Sequence, residues 1–130
     1  MSMKKIIFIA TMFLISVSAN SQIKNVRATG SSIYIIDSNG KEHFKDGSVY
    51  KLIGWTNTYV VVQGDMSIQM ANSVLIYNSN GEKTGEVNNL TEGEYVISVT
   101  PNYFIMKMWT NTQHNQQSER KFDKNGKRVD

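Results

Sequence analysis

The chain contains no cysteine among its 130 residues. This absence excludes disulfide bonds, thiol nucleophiles, thiolate metal sites and attachment through a lipidated cysteine. Small exported domains often depend on disulfides, so this chain must be held together by side-chain packing and by hydrogen bonds between strands.

No apolar run is long enough to cross a membrane as a helix. The longest, Ile6–Val17, has about 12 residues, whereas a spanning helix needs roughly 20. It follows Lys4 and Lys5 and precedes small and polar residues, which is typical of a secretory signal peptide.

We therefore expect residues 1–21 to be a signal peptide, cleaved after Ala19 or after Ser21. Residues 22–130 would then form a single domain in the periplasm or outside the cell, with no stable membrane span.

An excess of charge is also lacking in this expected mature domain. The whole chain has 14 Lys and Arg against 11 Asp and Glu, a net charge of +3. Lys4 and Lys5 lie in the predicted signal peptide, and without them 12 basic side chains face the same 11 acidic ones. Bulk charge therefore gives no reason to expect nucleic acid as a partner.

Helical periodicity is missing from residue 22 onward, and short alternating or β-branched runs recur instead. The pattern predicts an all-β protein of about ten short strands. The predicted strands are Ser32–Asp37, Lys41–Lys45, Val49–Trp55, Tyr59–Gly64, Ser73–Asn78, Lys83–Asn88, Glu94–Thr100, Tyr103–Trp109, Glu119–Asp123 and Lys127–Val129, with Lys24–Ala28 as a further candidate.

Alternation also predicts which side chains face the core. In Glu94–Thr100, the larger apolar face carries Tyr95, Ile97 and Val99, and burial of each branched side chain contributes about 1.5–3 kcal/mol. That face is expected to be buried. His43 alternates with two lysines, which predicts a solvated position.

Three turns share one sequence signature: Asp37-Ser38-Asn39-Gly40, Asn78-Ser79-Asn80-Gly81 and Asp123-Lys124-Asn125-Gly126. Glycine supplies the positive φ that a tight hairpin needs, and the entry Asp or Asn can accept hydrogen bonds from the backbone two residues on. We therefore interpret Asp37, Asn78 and Asp123 as turn formers rather than as metal ligands or catalytic acids.

The turn glycines lie 41 and 45 residues apart, and Ile53 and Tyr59 recur as Ile97 and Tyr103. A period of 40–45 residues with four strands per unit is typical of propeller blades. The chain resembles the blade-like repeats of exported bacterial β-propellers, although it lacks the Trp-Asp and Gly-His signatures. Two and a half such repeats predict an antiparallel meander, rolled or sandwiched, with a partial β-propeller as the alternative.

No catalytic or cofactor pattern accompanies these strands. His43 and His114 lie in different repeats without a third metal ligand, and there is no phosphate-binding glycine loop or Gly-x-Ser-x-Gly turn. We predict no enzyme activity, no metal and no cofactor.

The candidate binding residues belong to loops and exposed aromatics. Two long connections, Gly64–Asn72 and Thr110–Ser118, should emerge at the same edge if the repeats are equivalent. Aromatic rings beside amide side chains suit protein or sugar surfaces, and both tryptophans could alternatively cap the core. The candidates are Trp55, Trp109, Gln113, His114 and Gln116.

These patterns predict an exported, non-catalytic interaction module that binds a protein or glycan of the cell envelope. A self-assembling structural protein that forms homo-oligomers, and an inhibitor or immunity-type protein, remain open as alternatives.

Overall fold

The computed structural model describes residues 21–30, 32–46, 50–65 and 72–130. The predicted signal peptide, apart from Ser21, and the middle of the predicted loop Gly64–Asn72 lie outside the described residues. No helix in the described part of the chain is long and apolar enough to cross a membrane.

The described residues form ten antiparallel strands, which confirms the all-β prediction. In chain order they are β1 (Ile23–Thr29), β2 (Ser32–Asp37), β3 (Glu42–Asp46), β4 (Tyr50–Trp55), β5 (Val60–Gly64), β6 (Val74–Tyr77), β7 (Lys83–Val87), β8 (Tyr95–Val99), β9 (Phe104–Trp109) and β10 (Gln117–Phe122). Short polar turns interrupt the β-branched and aromatic runs at nearly the predicted positions.

One predicted strand is wrong. Residues 127–129 make only an isolated bridge between Arg128 and Phe122 instead of a strand ladder. The candidate segment Lys24–Ala28, in contrast, is part of the full strand β1.

The strands belong to three sheets. The first sheet is β1-β2-β3, the middle sheet is β4-β5-β6-β7, and the third sheet has the order β10-β9-β8. Each sheet is a meander of neighbouring strands, as short connections between antiparallel strands favour.

The three sheets stack face to face around two hydrophobic cores. One core joins the first sheet to the middle sheet through Ile23, Val26, Ile33, Ile35, Val60 and Val62. The other joins the middle sheet to the third through Tyr59, Val61, Val74, Ile76, Leu90, Val96, Phe104, Met106 and Phe122. The arrangement is therefore a sandwich of three layers.

Strand β5 explains this layering because it is buried on both faces. Val60 and Val62 contact the first sheet, and Val61 contacts the third. The sequence reads as a continuous valine run instead of an alternation, which is expected of a strand covered on both sides. Two hydrophobic cores thus depend on one five-residue strand.

The three signature turns have the same hydrogen bonds, as predicted. In the first, Oδ1 of Asp37 accepts the N–H groups of Asn39 and Lys41 at 2.9 and 3.0 Å. Asn78 and Asp123 accept the corresponding pairs at the same distances. The glycine of each turn has a positive φ, between 74° and 83°.

Two of these turns also pack against the preceding sheet. A Cβ on Gly81 would lie 2.9 Å from Cβ of His43 in β3, and a Cβ on Gly126 would lie 2.6 Å from the backbone oxygen of Glu86 in β7. These turns therefore need glycine both for its positive φ and for its lack of a side chain.

The predicted buried face of β8 is wrong in part. Val96 is buried, whereas Tyr95 and Ile97 are 46% and 41% exposed. The register shifts between Val96 and Ser98, so a bulge at Ile97 breaks the alternation. A matching bulge in β4 leaves Ile53 39% exposed.

Candidate functional site

The predicted loop edge exists among the described residues. Gly64 and Asp65 leave β5 beside the turn Glu92–Tyr95, and Gly93 in that turn lies against the indole of Trp109. The ends of β5 and β9 therefore reach one edge of the molecule. We call the surface made by 64–65, 93–95 and 109–116 the loop surface.

A groove runs along this surface between β4 and β8, the adjacent edge strands of the middle and third sheets. Its volume is about 280 Å³, and it is lined by Lys51, Ile53, Gln63, Gly64, Asp65, Gly93, Glu94 and Tyr95. The bulge in β4 places Ile53 outward, and Tyr95 is exposed at the start of β8. The groove thus combines exposed apolar side chains with both signs of charge.

A buried glutamine holds the two walls of this groove together. Nε2 of Gln63 donates to the backbone oxygen of Glu94 at 2.9 Å, and its Oε1 accepts the N–H of Val96 at 2.7 Å. Gln63 thereby satisfies two backbone groups that the bulged edge of β8 leaves without strand partners. Its amide fixes β8 against β5.

Glu94 organises the other side of the turn. One carboxylate oxygen accepts the N–H and the hydroxyl of Thr91 at 2.8 and 3.1 Å. The other accepts the N–H of Trp109 at 3.2 Å. This buried carboxylate is satisfied by three donors, so its role in the described structure is to join the turn to the end of β9.

A second concavity, the loop pocket, lies across Glu94 from the groove. Its volume is about 320 Å³, and it is lined by Thr91, Glu94, Trp109, Thr110, Asn111, Thr112 and His114. Because Glu94 lines both concavities, the groove and the loop pocket lie next to each other.

Most of the contacts of the Trp109 indole are with the turn that precedes β8. Its Nε1 donates to the backbone oxygen of Glu92 at 2.9 Å, and Gly93 packs against the ring. His114 stacks on the indole with ring centroids 5.2 Å apart and planes 9° from parallel. A ligand would therefore meet the imidazole before it met the indole.

The loop that presents His114 is closed by its own hydrogen bonds. Thr110 donates to the backbone oxygen of Gln116 through its N–H at 2.9 Å and its hydroxyl at 3.2 Å. The side chain of Asn111 pairs with that of Asn115 and accepts the N–H of that residue. His114 has a φ of 55°, which non-glycine residues rarely adopt. This backbone angle belongs to the turn that lays its ring on Trp109.

The other sequence candidates have different positions. Gln113 and Gln116 are exposed on the same loop, so they lie on the loop surface. Trp55 does not. It ends β4 and pairs with Val60, beside the Val99 end of β8, whereas Trp109 lies beyond the Tyr95 end. The two tryptophans therefore belong to opposite edges of the molecule.

The prediction of a solvated His43 is wrong. Its Nε2 lies 2.9 Å from Oδ2 of Asp37, and the two side chains are 13% and 5% exposed. The turn at Gly81 covers the ring from the neighbouring sheet, which removes it from solvent. The hydrogen bond from His43 is the main cause that lowers the pKa of Asp37.

Sequence reasoning missed Gln63, Gly93, Glu94 and Tyr95. A polar residue at the end of the buried valine run was the available signal for Gln63, because a buried amide must find partners. No local pattern indicates that Gly93 approaches Trp109. Among the described residues, no group of three or more acidic or histidine side chains could hold a metal ion.

No protein-family model, curated protein or solved structure matches this chain.

Proposed function

We propose that the protein is an exported, non-catalytic binding module, and that the loop surface is where it binds a protein or glycan of the cell envelope. The observation that carries the proposal is that the groove and the loop pocket lie side by side, with Glu94 lining both. Shallow, preformed surfaces at the ends of strands are common binding positions.

The chemistry of the surface supports this kind of partner. The groove offers the exposed rings and chains of Tyr95 and Ile53 with Lys51 at one side, and the loop pocket offers the face of His114 beside exposed amides. Apolar contacts with a few directed polar groups suit an extended protein segment or a sugar face.

The surface is also preorganised. Gln63, Glu94 and the closed loop 110–116 fix its backbone by hydrogen bonds before any partner arrives. Less conformational entropy is lost on binding to such a surface than to a mobile loop. An inhibitor or immunity-type role would be a specific form of the same proposal.

The experiment compares three forms of residues 22–130 immobilised on a resin. They are the wild type, the double variant Tyr95→Ser/His114→Ala, and Phe44→Ala, which removes an exposed side chain from the outward face of the first sheet. Protein and polysaccharide fractions of a cell envelope are passed over each. The proposal expects a component retained by the wild type and Phe44→Ala but lost from the double variant, with all three forms folded at the temperature of the experiment. Equal retention on all three forms would refute it.

Self-assembly is the second candidate, and one observation favours it. Phe44 is 56% exposed and contacts Tyr34 edge to face on the outward face of the first sheet. An aromatic pair on an uncovered sheet face could join two copies back to back. Light scattering across a dilution series would show a dimer that Phe44→Lys converts to a monomer. A wild-type monomer at all concentrations would exclude this candidate.

A further inference from the structure

The first strands of the middle and third sheets lie side by side, and β4 covers one face of the end of β8. A Cβ on Gly54 in β4 would lie 3.0 Å from Cγ2 of Val99, the last residue of β8. Val99 pairs with Phe104 and packs against the core between these two sheets. Gly54 thus leaves space for the final side chain of the next sheet's first strand.

Trp55 has the same position in β4 that Val99 has in β8. It ends its strand and pairs with Val60, which lies in the core between the first and middle sheets. Its side chain therefore points toward the first sheet. No strand of the described chain covers it as β4 covers Val99, and it is 38% exposed.

In the described part of the chain, no strand flanks the first sheet at the corresponding edge. Strands β5 and β9 are flanked by β4 and β8, whereas the sheet order of the described residues ends at β1. The N–H of Ile23 donates to the backbone oxygen of Asn57 at 2.8 Å. That bond places the start of β1 next to the turn that follows Trp55. The free edge of β1 and the exposed indole of Trp55 therefore lie on two sides of one cleft, which we call the slot.

We propose that this slot, in the exported chain of residues 22–130 on which the proposed function rests, accepts an extended segment of another polypeptide, which pairs antiparallel with β1 and covers Trp55. Such a strand would lie at the edge of the first sheet as β4 lies at the edge of the middle sheet and β8 at the edge of the third. Main-chain hydrogen bonds to an open edge supply affinity in this mode of recognition, and the side-chain pockets supply selectivity.

The structure also indicates what this segment must contain. Both β4 and β8 run antiparallel to the strand that they flank, so the segment should do the same. A small residue should face Trp55, as Gly54 faces Val99. The edge of β1 is regular from Asn25 to Thr29, since its register shift is confined to the start of the strand. A segment of about five residues fits that length.

The slot is independent of the loop surface. Trp55 lies at the opposite end of the β4/β8 pair from Gly93 and Trp109. Variants of Tyr95 and His114 should therefore leave the slot intact, and failure of one proposal would not decide the other.

The test uses a fluorescein-labelled peptide with the sequence of Tyr50–Trp55, because that strand occupies the equivalent edge of the middle sheet and carries the required glycine. Its anisotropy is measured against residues 22–130. Saturable binding is expected, about tenfold weaker for Trp55→Ala, as for loss of an aromatic anchor. Phe44→Ala and His114→Ala should bind as the wild type does. A peptide with proline in place of its leucine should not bind.

Hydrogen exchange shows where the peptide binds. Because it is measured on the wild type, it tests the proposal even if Trp55→Ala does not fold. Added peptide should slow exchange in residues 24–29 of the wild type. Absence of binding, protection elsewhere, or equal binding by a folded Trp55→Ala variant would each overturn the proposal. A wild-type dimer that the peptide dissociates would also overturn it, because a second copy would then be the natural occupant.

Discussion

Nε2 of His43 lies 2.9 Å from Oδ2 of Asp37, inside the first signature turn and under the turn of the next sheet. The other two turns have the same backbone hydrogen bonds without a histidine. In the first turn, the carboxylate that accepts the backbone hydrogen bonds of the hairpin is therefore also paired with a histidine. Lys41 is the further charged group that lines the small cavity beside this pair.

This pair makes stability depend on pH at the acidic end. The pKa of Asp37 is lowered from 3.8, first by the hydrogen bond from His43, so the folded state favours the carboxylate. That contribution is complete above the unfolded value and is lost as the pH falls through the lower folded value. Asp37→Asn keeps an oxygen acceptor, as Asn78 does, and should lose this contribution.

Urea unfolding of the wild type and Asp37→Asn between about pH 7 and pH 2 checks this expectation, since acid unfolding reports such linkage. The gap between the two curves should close as the pH falls below 3.8. Asp123→Asn is the matched control for a turn without histidine. A gap that stayed constant, or was equal at Asp123, would contradict the role of His43.

Two turn glycines separate the cost of backbone conformation from the cost of crowding. Gly40 and Gly126 have φ values of 83° and 78°, but a Cβ meets nothing within 4 Å at Gly40 and lies 2.6 Å from the oxygen of Glu86 at Gly126. Gly40→Ala should cost about 1–2 kcal/mol of stability. Gly126→Ala should cost about 1–3 kcal/mol more, because the turn must move away from β7. Equal losses in denaturant unfolding would show that the turn does not pack as described.

The buried amide of Gln63 should be more important for stability than an exposed one. Gln63→Leu leaves the N–H of Val96 and the backbone oxygen of Glu94 without partners, at about 1–3 kcal/mol for each buried group. Gln117 is the control, because its half-buried Nε2 donates to one described backbone group, the oxygen of Gly93. Gln117→Leu should therefore cost less. A neutral Gln63→Leu would mean that water replaces the amide.

In the stacked pair of the loop pocket, Trp109 should contribute more to stability than His114, which is exposed to solvent. Trp109→Phe loses the hydrogen bond to the oxygen of Glu92 and should destabilise the fold by about 1–2 kcal/mol. His114→Ala removes a stacked ring from an exposed loop, worth about 0.5–1.5 kcal/mol at most. Thermal unfolding of the two variants shows which substitution lowers the stability more. In a Trp55→Phe background, His114→Ala should also shift Trp109 fluorescence to longer wavelength, whereas an unchanged spectrum would contradict the stacking.

The fold could be predicted from the sequence because its signals are local. Asn-Gly turns and β-branched runs each act within a few residues, so strand positions follow within one or two residues for most elements. The two bulges could not be predicted, because Ile53 and Ile97 look like core residues and only the pairing with β5 and β9 turns them outward. Bulges are set by strand register.

The candidate site was only partly predictable for the same reason. His114 and Trp109 are neighbours in sequence, and their shared loop was visible in it. Gln63 reaches that surface from β5, and Gly93 and Glu94 reach it from the turn before β8, so their role depends on how the sheets stack. Trp55 resembled Trp109 in sequence and lies at the opposite edge, because the strands that carry them begin at opposite ends of the sandwich.

The most direct test of the binding proposal is amide hydrogen exchange of residues 22–130, alone and with the envelope component that the resin retains. Binding at the loop surface should slow exchange in residues 93–95 and 110–116 and leave the first sheet unchanged, because a bound partner restricts local opening where it makes contact. Protection confined to the outward face of the first sheet, or no protection at all, would contradict the assignment of the loop surface as the binding site.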